Sequence, residues 1–426
     1  MKYLILLLDG GADEPISSLG NKTAFEFANL TNINRLASLG EVGSIFTVAP
    51  NIVPSSDAAN LAIMGYDPQI YLTGRAPLEA ISLGIEMGDT DMAYRASTIT
   101  LLDPHTGKPA DEFTSTKYED LIIADYSASL ITTEEAKELI DELREKIKCS
   151  KNIEFYAGVS YRHLMILRCA EEFFSENGET GSNLSCRLKT PQDNIGKRVG
   201  DCLPEISTLA DIQKKSYEIL KGSKINKDRV KRGLNPANAV WLWGEGIKPN
   251  LPKFKDKYGI SAAVISAVDL IKGIAIGLDM RVCKVEGATG TLDTNYDGKC
   301  AAAIEEYRQG TQLVYMHMEG PDECGHQGDV TGKVESLERI DRKILCPILE
   351  YFKTNNIDYK VLVLPDHKTP VELRVHTKGE VPFLIYDSTS EKPCDENRKF
   401  TEEIAKRGKT FKNGYEIMDY FVRNNF

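Results

Sequence analysis

Aspartates and histidines cluster in two short stretches of the C-terminal half of the sequence. Each stretch directly follows a short apolar run, 313–315 in the first case and 361–364 in the second. Such runs are typical of buried strands, and an open α/β sheet binds ligands beyond the carboxyl ends of its strands. The residues concerned are Asp322, His326, Asp366, His367 and His376. Carboxylates and imidazoles together suit Zn²⁺ or Mn²⁺ better than Ca²⁺, so the pattern predicts a metal site.

For any single one of these residues, a solvated loop position or a core histidine is the simpler alternative. Their recurrence after two strand-like runs favours the metal site over that alternative. A further histidine, His317, lies inside the first run and is expected to be part of the strand.

Two stretches near the N-terminus have a similar character. The apolar run 3–8 ends at Asp9, which two glycines follow. In the stretch 54–65, Ser56 precedes an apolar-periodic run, which is typical of a helix start. A helix N-terminus favours a bound phosphate, and a serine beside a metal can lose its proton and act as a nucleophile. An ordinary strand end and an ordinary N-cap are the alternatives for each stretch alone.

Taken together, these residues resemble the alkaline phosphatase superfamily. More narrowly, the chain resembles the cofactor-independent phosphoglycerate mutases of the archaeal type and their close bacterial branch. The resemblance runs through nearly the whole chain and includes LLLDGGADEP, SSDAANLAIMGYDP, NPANAVWLWGEG, MEGPDECGH and LPDHKTPVELRVHT. It implies an isomerase of glycolysis and gluconeogenesis that interconverts 2- and 3-phosphoglycerate without a bisphosphoglycerate cofactor.

The resemblance also implies two divalent metal ions, Mn²⁺ or Zn²⁺, with Mg²⁺ and Co²⁺ as further alternatives. One ion is expected to be held by Asp322, His326 and His376. The other is expected to be held by Asp9, Ser56, Asp366 and His367. Ser56 would carry the phosphoryl group in a phosphoserine intermediate.

A substrate with a phosphate and a carboxylate needs basic side chains from several sides, since bidentate arginine contacts fix the orientation of an anion. The resemblance makes these residues the predicted substrate contacts: Arg95, Arg162, His163, Arg232 and Lys299. We expect His163 to act as a general acid/base at a hydroxyl of the sugar acid, with a hydrogen-bonded core histidine as the alternative. For the basic residues, ordinary surface charge is the alternative.

The sequence departs from the family pattern at several positions. Ala96 and Ser97 follow Arg95 where the family has Cys-Asn, and residues Gln192 to Asn194 lack the family's histidine. Lys368 stands where a small residue or proline is usual. Because the expected metal ligands are all present, these departures affect the identity of the substrate rather than the metal chemistry.

Two other functions are compatible with the sequence. One is another metal-dependent phosphotransfer on the same scaffold, such as homoserine kinase or phosphatase activity. The absence of a GxxxxGK[ST] string counts mildly against a kinase. The other is binding of a phosphorylated metabolite without turnover, which the complete set of metal ligands argues against.

The 426 residues are enough for two domains. Strands alternate with helices over 1–89 and 233–426, which predicts an alkaline-phosphatase-like α/β core. That core is expected to have a mostly parallel sheet with helices on both faces. Residues 90–232 interrupt the alternation, and we expect them to form an inserted α+β domain that caps the substrate.

Charge and composition narrow the range of partners. The net charge of −11 argues against a nucleic-acid or membrane-surface partner, which would favour a basic face. The expected partner is a small phosphorylated metabolite, and the sequence makes no prediction of oligomeric state. The 9 cysteines include no CxxC pair, and no signal peptide or membrane span is recognisable, so a cytoplasmic location is expected.

Overall fold

The computed structural model describes residues 1–49, 52, 54–147, 152–178, 188–390 and 393–424. The chain divides into two compact units. The first unit comprises Met1–Leu72 and Asn250–Phe426, and the second comprises Thr73–Pro249. The second unit is therefore inserted into the first along the chain.

Each unit contains its own sheet. The strands, in chain order, are β1 (Lys2–Leu8), β2 (Glu41–Ile45), β3 (Met92–Asp103), β4 (Lys108–Pro109), β5 (Ile122–Asp125), β6 (Ile153–Tyr156), β7 (Arg162–Leu167), β8 (Ala239–Ile247), β9 (Ala262–Ile265), β10 (Arg281–Val282), β11 (Leu313–Met318), β12 (Tyr359–Leu364), β13 (Val381–Asp387) and β14 (Thr410–Phe411).

Helices are distributed over both units. They are α1 (Ala24–Phe27), α2 (Thr31–Leu39), α3 (Ser56–Ile63), α4 (Pro68–Tyr71), α5 (Arg75–Ser82), α6 (Thr133–Lys146), α7 (Ala170–Glu176), α8 (Ser207–Leu220), α9 (Lys224–Lys231), α10 (Phe254–Tyr258), α11 (Asp269–Gly277), α12 (Tyr296–Arg308), α13 (Gly320–Gln327), α14 (Val330–Ile340), α15 (Cys346–Thr354), α16 (Glu402–Ala405) and α17 (Glu416–Arg423). Among the described residues, none of these helices has the length and apolar character that a bilayer crossing requires.

An eight-stranded sheet forms the centre of the first unit, in the order β10-β9-β11-β1-β12-β13-β2-β14. The strands from β10 to β12 run parallel, and β13 pairs antiparallel with both of its neighbours. In β1, Leu4 to Leu8 are all fully buried. Successive side chains of a strand point to opposite faces, so both faces of the sheet are covered. The predicted parallel-rich α/β core is confirmed.

The sheet of the second unit is antiparallel. Its strands follow the order β4-β3-β7-β6, and β5 and β8 also pair with β3. The sequence places 239–247 in the parallel core, and this expectation is wrong. In the structure β8 pairs antiparallel with β3, with Trp241 opposite Ser97. The local pattern of a buried strand carries no information about its partner, which here lies far away in sequence.

The boundaries of the second unit lie outside the predicted limits of 90 and 232. At its start, Ala76 and Ala80 of α5 pack against Ala93 and Leu164 of the antiparallel sheet. At its end, β8 belongs to the same sheet. These contacts place the boundaries at Thr73 and Pro249. The role of this unit as a substrate cap stays a prediction.

The sequence pattern over 330–352 predicts one long helix, which is interrupted in the structure. A π-helical turn, Asp341–Leu345, separates α14 from α15. Pro347 in the first turn of α15 has no N–H to donate to the preceding turn, which favours a widened turn there. The Asp341 carboxylate accepts hydrogen bonds from the backbone N–H groups of Ile33 (2.7 Å) and Asn32 (3.1 Å). The irregular turn thus caps the N-terminus of α2.

The polar composition of the segment 170–205 predicts surface loops, but in the structure the segment begins with the helix α7. Phe173 and Phe174 of this helix are buried in the main hydrophobic cluster of the second unit. The apolar pair is the local signal that the polar composition of the segment obscured. Residues 179–187 lie outside the described part of the chain.

The buried centre of β1 generates a prediction about stability. Leu6 is fully buried between β11 and β12. Leu6→Ala should lower the free energy of unfolding of the first unit by ~2–5 kcal/mol, because the lost methyl groups leave a cavity. Urea unfolding followed by circular dichroism measures the change. The control is Ile70→Ala, at a position with 69% exposure, where we expect a change below ~0.5 kcal/mol. Equal losses in the two variants would contradict the assignment of β1 as the core strand.

Candidate metal centre

The carboxyl ends of three neighbouring strands bring acidic side chains together. Asp9 follows β1, Asp322 lies in α13 just after β11, and Asp366 follows β12. β11, β1 and β12 are adjacent and parallel, so their carboxyl ends lie at one edge of the sheet. The edge predicted from the sequence as a ligand site is therefore lined by these three carboxylates.

Ser56 reaches this edge from the start of α3. It is the first residue of the helix, and its Oγ lies 3.2 Å from Nε2 of His367. Ser55 precedes it as the N-cap and makes no side-chain capping hydrogen bond. The Ser56 hydroxyl is thus beside one of the predicted metal ligands, with the N-terminus of a helix behind it.

Asn60 is a residue of this site that sequence reasoning missed. It is fully buried one turn after Ser56, and its Nδ2 donates to Oδ2 of Asp366 at 3.1 Å and to the Ser56 carbonyl at 2.9 Å. Its Oδ1 accepts a hydrogen bond of 2.6 Å from the Tyr315 hydroxyl. A spacing of four residues on a helix puts Asn60 and Ser56 on one face. This spacing was the signal in the sequence that Asn60 belongs to the site. These bonds attach the start of α3 to the sheet.

The first predicted ligand set, Asp322, His326 and His376, is brought together by the fold. The Asp322 carboxylate lies 3.3 Å from Nε2 of His326 and 3.4 Å from Nε2 of His376. The two Nε2 atoms are 3.0 Å apart. The hydrogen bond with Asp322 raises the pKa of His326 to about 9. Burial opposes ionisation of Asp322, but hydrogen bonds from both histidines hold its pKa well below the ordinary value.

The second predicted set is also compact. Nε2 of His367 lies 3.6 Å from Oδ1 of Asp9 and 3.4 Å from Oδ2 of Asp366. The other oxygen of Asp366 accepts backbone hydrogen bonds of 3.0 Å from Gly10 and from His367 itself. The ring of His367 stacks on that of His376 with a centroid distance of 3.7 Å, so the two sets are neighbours.

His317, expected only as a strand residue, is part of this cluster. It is fully buried, with Nε2 3.2 Å from Oδ2 of Asp9 and Nδ1 3.0 Å from Oε1 of Glu319. Potential ligand atoms of Asp9, His317 and Asp366 lie within 4.8 Å of one another, as do those of Asp322, His367 and His376. A histidine inside an apolar strand needs a polar partner, and that was the signal in the sequence.

The donor set fits divalent metal ions. Burial and the charges of Asp366 and Asp322 raise the pKa of Asp9 well above the ordinary value. In addition, Oδ1 of Asp9 is buried and has no hydrogen-bond partner among the described residues. A divalent cation removes both costs, because it compensates the clustered charge and provides a partner for the oxygen. Carboxylates, imidazoles and a hydroxyl are together suited to Mn²⁺ or Zn²⁺.

Within the second unit, Arg95 and Arg162 lie on one face of the antiparallel sheet. Arg95 is buried, with its guanidinium 4.2 Å from the centre of the Trp243 ring and Nε 3.1 Å from Glu79. Arg162 is exposed and lies opposite Ser97, which points to the same face as Arg95. Their contact with a substrate stays a prediction.

Two further predicted substrate contacts have other partners in the structure. Lys299 is fully buried in the first unit, and its Nζ lies 2.8 Å from Oε2 of Glu319. The ammonium is thus paired inside the unit, and the expected contact of Lys299 with a substrate stays a prediction. Arg232 is exposed at the end of α9 and forms an ion pair with Glu135 of α6.

His163 has the environment of the alternative interpretation, a hydrogen-bonded core histidine. It is buried, its Nδ1 accepts from the Gly158 N–H at 3.1 Å, and its Nε2 lies 3.5 Å from the Thr98 hydroxyl. Burial lowers its pKa to about 3. A general acid/base requires access to the reacting hydroxyl and a pKa near the working pH. The burial and lowered pKa of His163 favour the core-histidine interpretation, and its role as a general acid/base stays a prediction.

The departures from the family pattern have ordinary structural roles. Ala96 is part of the hydrophobic core of the second unit, and the Ser97 hydroxyl accepts a hydrogen bond of 3.0 Å from Trp243. Gln192–Asn194 form a 3-10 turn, and Lys368 pairs with Glu14 at 2.7 Å. These contacts lie within one unit or the other and do not involve the predicted metal ligands.

The low pKa of His163 generates a prediction about pH. The pKa of His163 is 6.5 in the unfolded chain and about 3 in the folded chain. At pH values between these two, the unfolded chain binds a proton on His163 and the folded chain does not. The free energy of unfolding of the second unit should therefore fall as the pH is lowered from 7 to 5. In the His163→Gln variant this free energy should fall less steeply over the same pH range. Both tryptophans lie in β8, so their fluorescence during urea unfolding reports on this unit.

The control for this experiment is His105→Gln, which changes an exposed histidine of the same unit. It should keep the pH dependence of the unaltered chain. A slope in His163→Gln equal to that of the control would show that His163 is not buried in its neutral form.

Comparisons with known proteins agree with the geometry. The family model described as 2,3-bisphosphoglycerate-independent phosphoglycerate mutase matches residues 37–226. The chain is 39% identical over 411 residues to the enzyme of that name from Methanosarcina barkeri, covering 96% of both chains. It is 36% identical over 425 residues to a Geobacter sulfurreducens protein with the same name preceded by "Probable", covering 99% of this chain and 100% of that one.

A solved structure of a Pyrococcus horikoshii protein has the same fold, with a TM-score of 0.77 and 26% identity. The similarity covers 100% of this chain and 98% of that one. The resemblance inferred from the sequence strings is confirmed, since identity at this level extends over almost the whole chain in archaeal and bacterial relatives. The chain belongs to the family of 2,3-bisphosphoglycerate-independent phosphoglycerate mutases.

Proposed function

We propose that the chain interconverts 2- and 3-phosphoglycerate without a bisphosphoglycerate cofactor, through a phosphoserine formed on Ser56. Family membership supports the reaction, because relatives of matching length carry this activity in their names. The structural observation that supports the intermediate is the position of Ser56. Its hydroxyl lies at the N-terminus of α3 and 3.2 Å from His367, among carboxylates and imidazoles suited to metal binding.

Two sets of residues would hold the metal ions. One set is Asp322, His326 and His376, and the other is Asp9, Ser56, Asp366 and His367. The stacking of His367 on His376 puts the two sets side by side, as a shared phosphoryl group requires. When bound, the ions would lower the pKa of the serine hydroxyl and neutralise charge on the phosphoryl oxygens.

The residues of the chain have defined tasks in this scheme. The Ser56 oxygen forms a bond to phosphorus while the bond from phosphorus to the substrate oxygen breaks. The released hydroxyl of glycerate gains the proton that the Ser56 hydroxyl loses. The first-turn N–H groups of α3 would bind the phosphoryl oxygens, since such groups have no partner inside the helix. Transfer back to the other hydroxyl of glycerate restores Ser56.

Asn60 supports this arrangement. Its bonds to Asp366 and to Tyr315 attach α3 to the sheet, so that Ser56 is held at a constant distance from the ligands. Preorganisation of the nucleophile in this way reduces the entropy cost of the transfer.

An assay coupled to enolase tests the proposed activity. The metal-free protein is loaded with Mn²⁺ or Zn²⁺ and given 3-phosphoglycerate with no added bisphosphoglycerate. We expect turnover that disappears when a chelator removes the metal. Parallel reactions with homoserine and ATP, and with a simple phosphomonoester, measure the kinase and phosphatase alternatives. A metal-loaded protein that converts no phosphoglycerate would contradict the proposal.

Ser56 and Ser55 provide a matched pair of variants for the nucleophile. Ser56→Ala should abolish mutase and phosphatase turnover and leave no acid-stable phosphoserine on the chain, because the oxygen that bonds to phosphorus is gone. Ser55→Ala should retain most of the turnover, since its side chain makes no capping hydrogen bond. Peptide mapping of the trapped phosphoenzyme locates the phosphate. Phosphate on Ser55, or unchanged turnover in Ser56→Ala, would exclude Ser56 as the nucleophile.

A further inference from the structure

A network of buried charged side chains extends from Asp9 into the interior of the first unit. Oδ2 of Asp9 lies 3.2 Å from Nε2 of His317, and Nδ1 of His317 lies 3.0 Å from Oε1 of Glu319. The other oxygen of Glu319, Oε2, lies 2.8 Å from Nζ of Lys299. His317 and Lys299 are fully buried, and the Asp9 and Glu319 side chains are each only 5% exposed.

The two oxygens of Asp9 have different surroundings. His317 approaches Oδ2, whereas His367 approaches Oδ1 at 3.6 Å. Neither Oδ1 of Asp9 nor Nε2 of His317 has a hydrogen-bond partner among the described residues, so the contact of His317 with Oδ2 is an ion pair. Oδ2 is thus paired with a histidine inside the protein, whereas Oδ1 lies at ion-pair distance from His367 at the edge where Ser56 and His367 meet.

Glu319 connects this network of charged side chains to two further elements. Besides its contacts with His317 and Lys299, it accepts hydrogen bonds from the Ser266 hydroxyl at 3.0 Å and from the Ala267 N–H at 2.8 Å. Ser266 and Ala267 follow β9, and Lys299 lies in α12. Glu319 therefore connects the position of Asp9 to a strand and a helix that carry none of the predicted metal ligands.

A contribution to stability is by itself a poor explanation for this network of buried charges. Taking a charged group out of water costs several kcal/mol, and the attraction between the buried charges roughly offsets this cost. Apolar residues at these positions would therefore stabilise the core equally well. Partners of metal-ligating side chains, by contrast, set the orientation of the ligand and influence metal affinity.

We propose that Lys299, Glu319 and His317 are positioning residues that orient the Asp9 carboxylate, so that Oδ1 faces the metal position beside Ser56. This inference rests on the proposed metal centre. The alternative is that His317 is itself a ligand, since its ring lies near both Asp9 and Asp366. The contacts favour positioning, because His317 and His367 approach different oxygens of Asp9.

Titration of the metal-free protein with Mn²⁺ alone tests the proposal. The variants are Glu319→Gln, which is nearly isosteric, Lys299→Met and His317→Gln. Free Mn²⁺ is followed by electron paramagnetic resonance, and bound metal at saturation is counted by elemental analysis. We expect each variant to bind two ions at saturation, with the affinity for one of them weakened ~10–100-fold and that for the other unchanged.

Lys360→Met is the control for loss of a buried lysine. Its ammonium lies 3.6 Å from Asp387 at the amino end of β12, the opposite end of that strand from Asp366. Its side chain is only 3% exposed. This variant should unfold at a lower temperature and keep both Mn²⁺ affinities, so that a general loss of stability is distinguished from a loss of positioning.

Four outcomes would overturn part or all of this picture. Mn²⁺ affinities equal to those of the wild type in Glu319→Gln and Lys299→Met would overturn the positioning role of these residues. Loss of one whole equivalent of Mn²⁺ in His317→Gln, with the other two variants unaffected, would make His317 a ligand and also overturn it. A wild-type chain that binds two ions but converts no phosphoglycerate would overturn the proposed function alone, and one that binds no Mn²⁺ would overturn both.

Discussion

Three clustered carboxylates at one edge of the sheet, of which Asp9 and Asp366 are buried and Asp322 is half-buried, are the constraint on which the rest of the core depends. Asp9, Asp322 and Asp366 follow neighbouring strands and cannot move apart without disrupting the strand order. Like charges this close and this poorly solvated cost free energy unless positive charge lies beside them. The histidines of the cluster, and a helix N-terminus, all face this position. Divalent cations at this position would offset the clustered negative charge, so the predicted ligand set follows directly from the strand order.

The rigidity of the edge comes from buried polar contacts as well as from the sheet. Lys333 of α14 is fully buried and donates to Asp13 at 2.7 Å and to the Thr369 carbonyl at 2.8 Å. It joins the loop after β1 to the loop after β12. The Lys299–Glu319 pair has a corresponding place behind β11. Two buried lysines thus brace loops that carry the predicted metal ligands, where loops without such contacts would be mobile.

The acidic composition of the chain imposes a second requirement. With a net charge of −11, the protein as a whole repels a phosphorylated substrate. Binding then depends on positive charge concentrated locally. In the first unit the imidazole-rich edge can supply it through metal ions, because its donor atoms already converge. In the second unit Arg95 and Arg162 share one face of the sheet, and Arg95 is held in place by Trp243 and Glu79.

The sequence by itself determined the parallel core, the strand ends that carry Asp9 and Asp366, and the helix that begins at Ser56. These features are local, because apolar runs, glycines and helix starts report on neighbouring residues. Only the tertiary structure decided which polar residues are buried and what they contact. Ser56 meets His367 from 311 positions away, and β8 pairs with β3 across more than a hundred residues. Lys299 and His163 carry no local sign of their partners, and the approach of His317 to Asp9 is seen only in the folded chain.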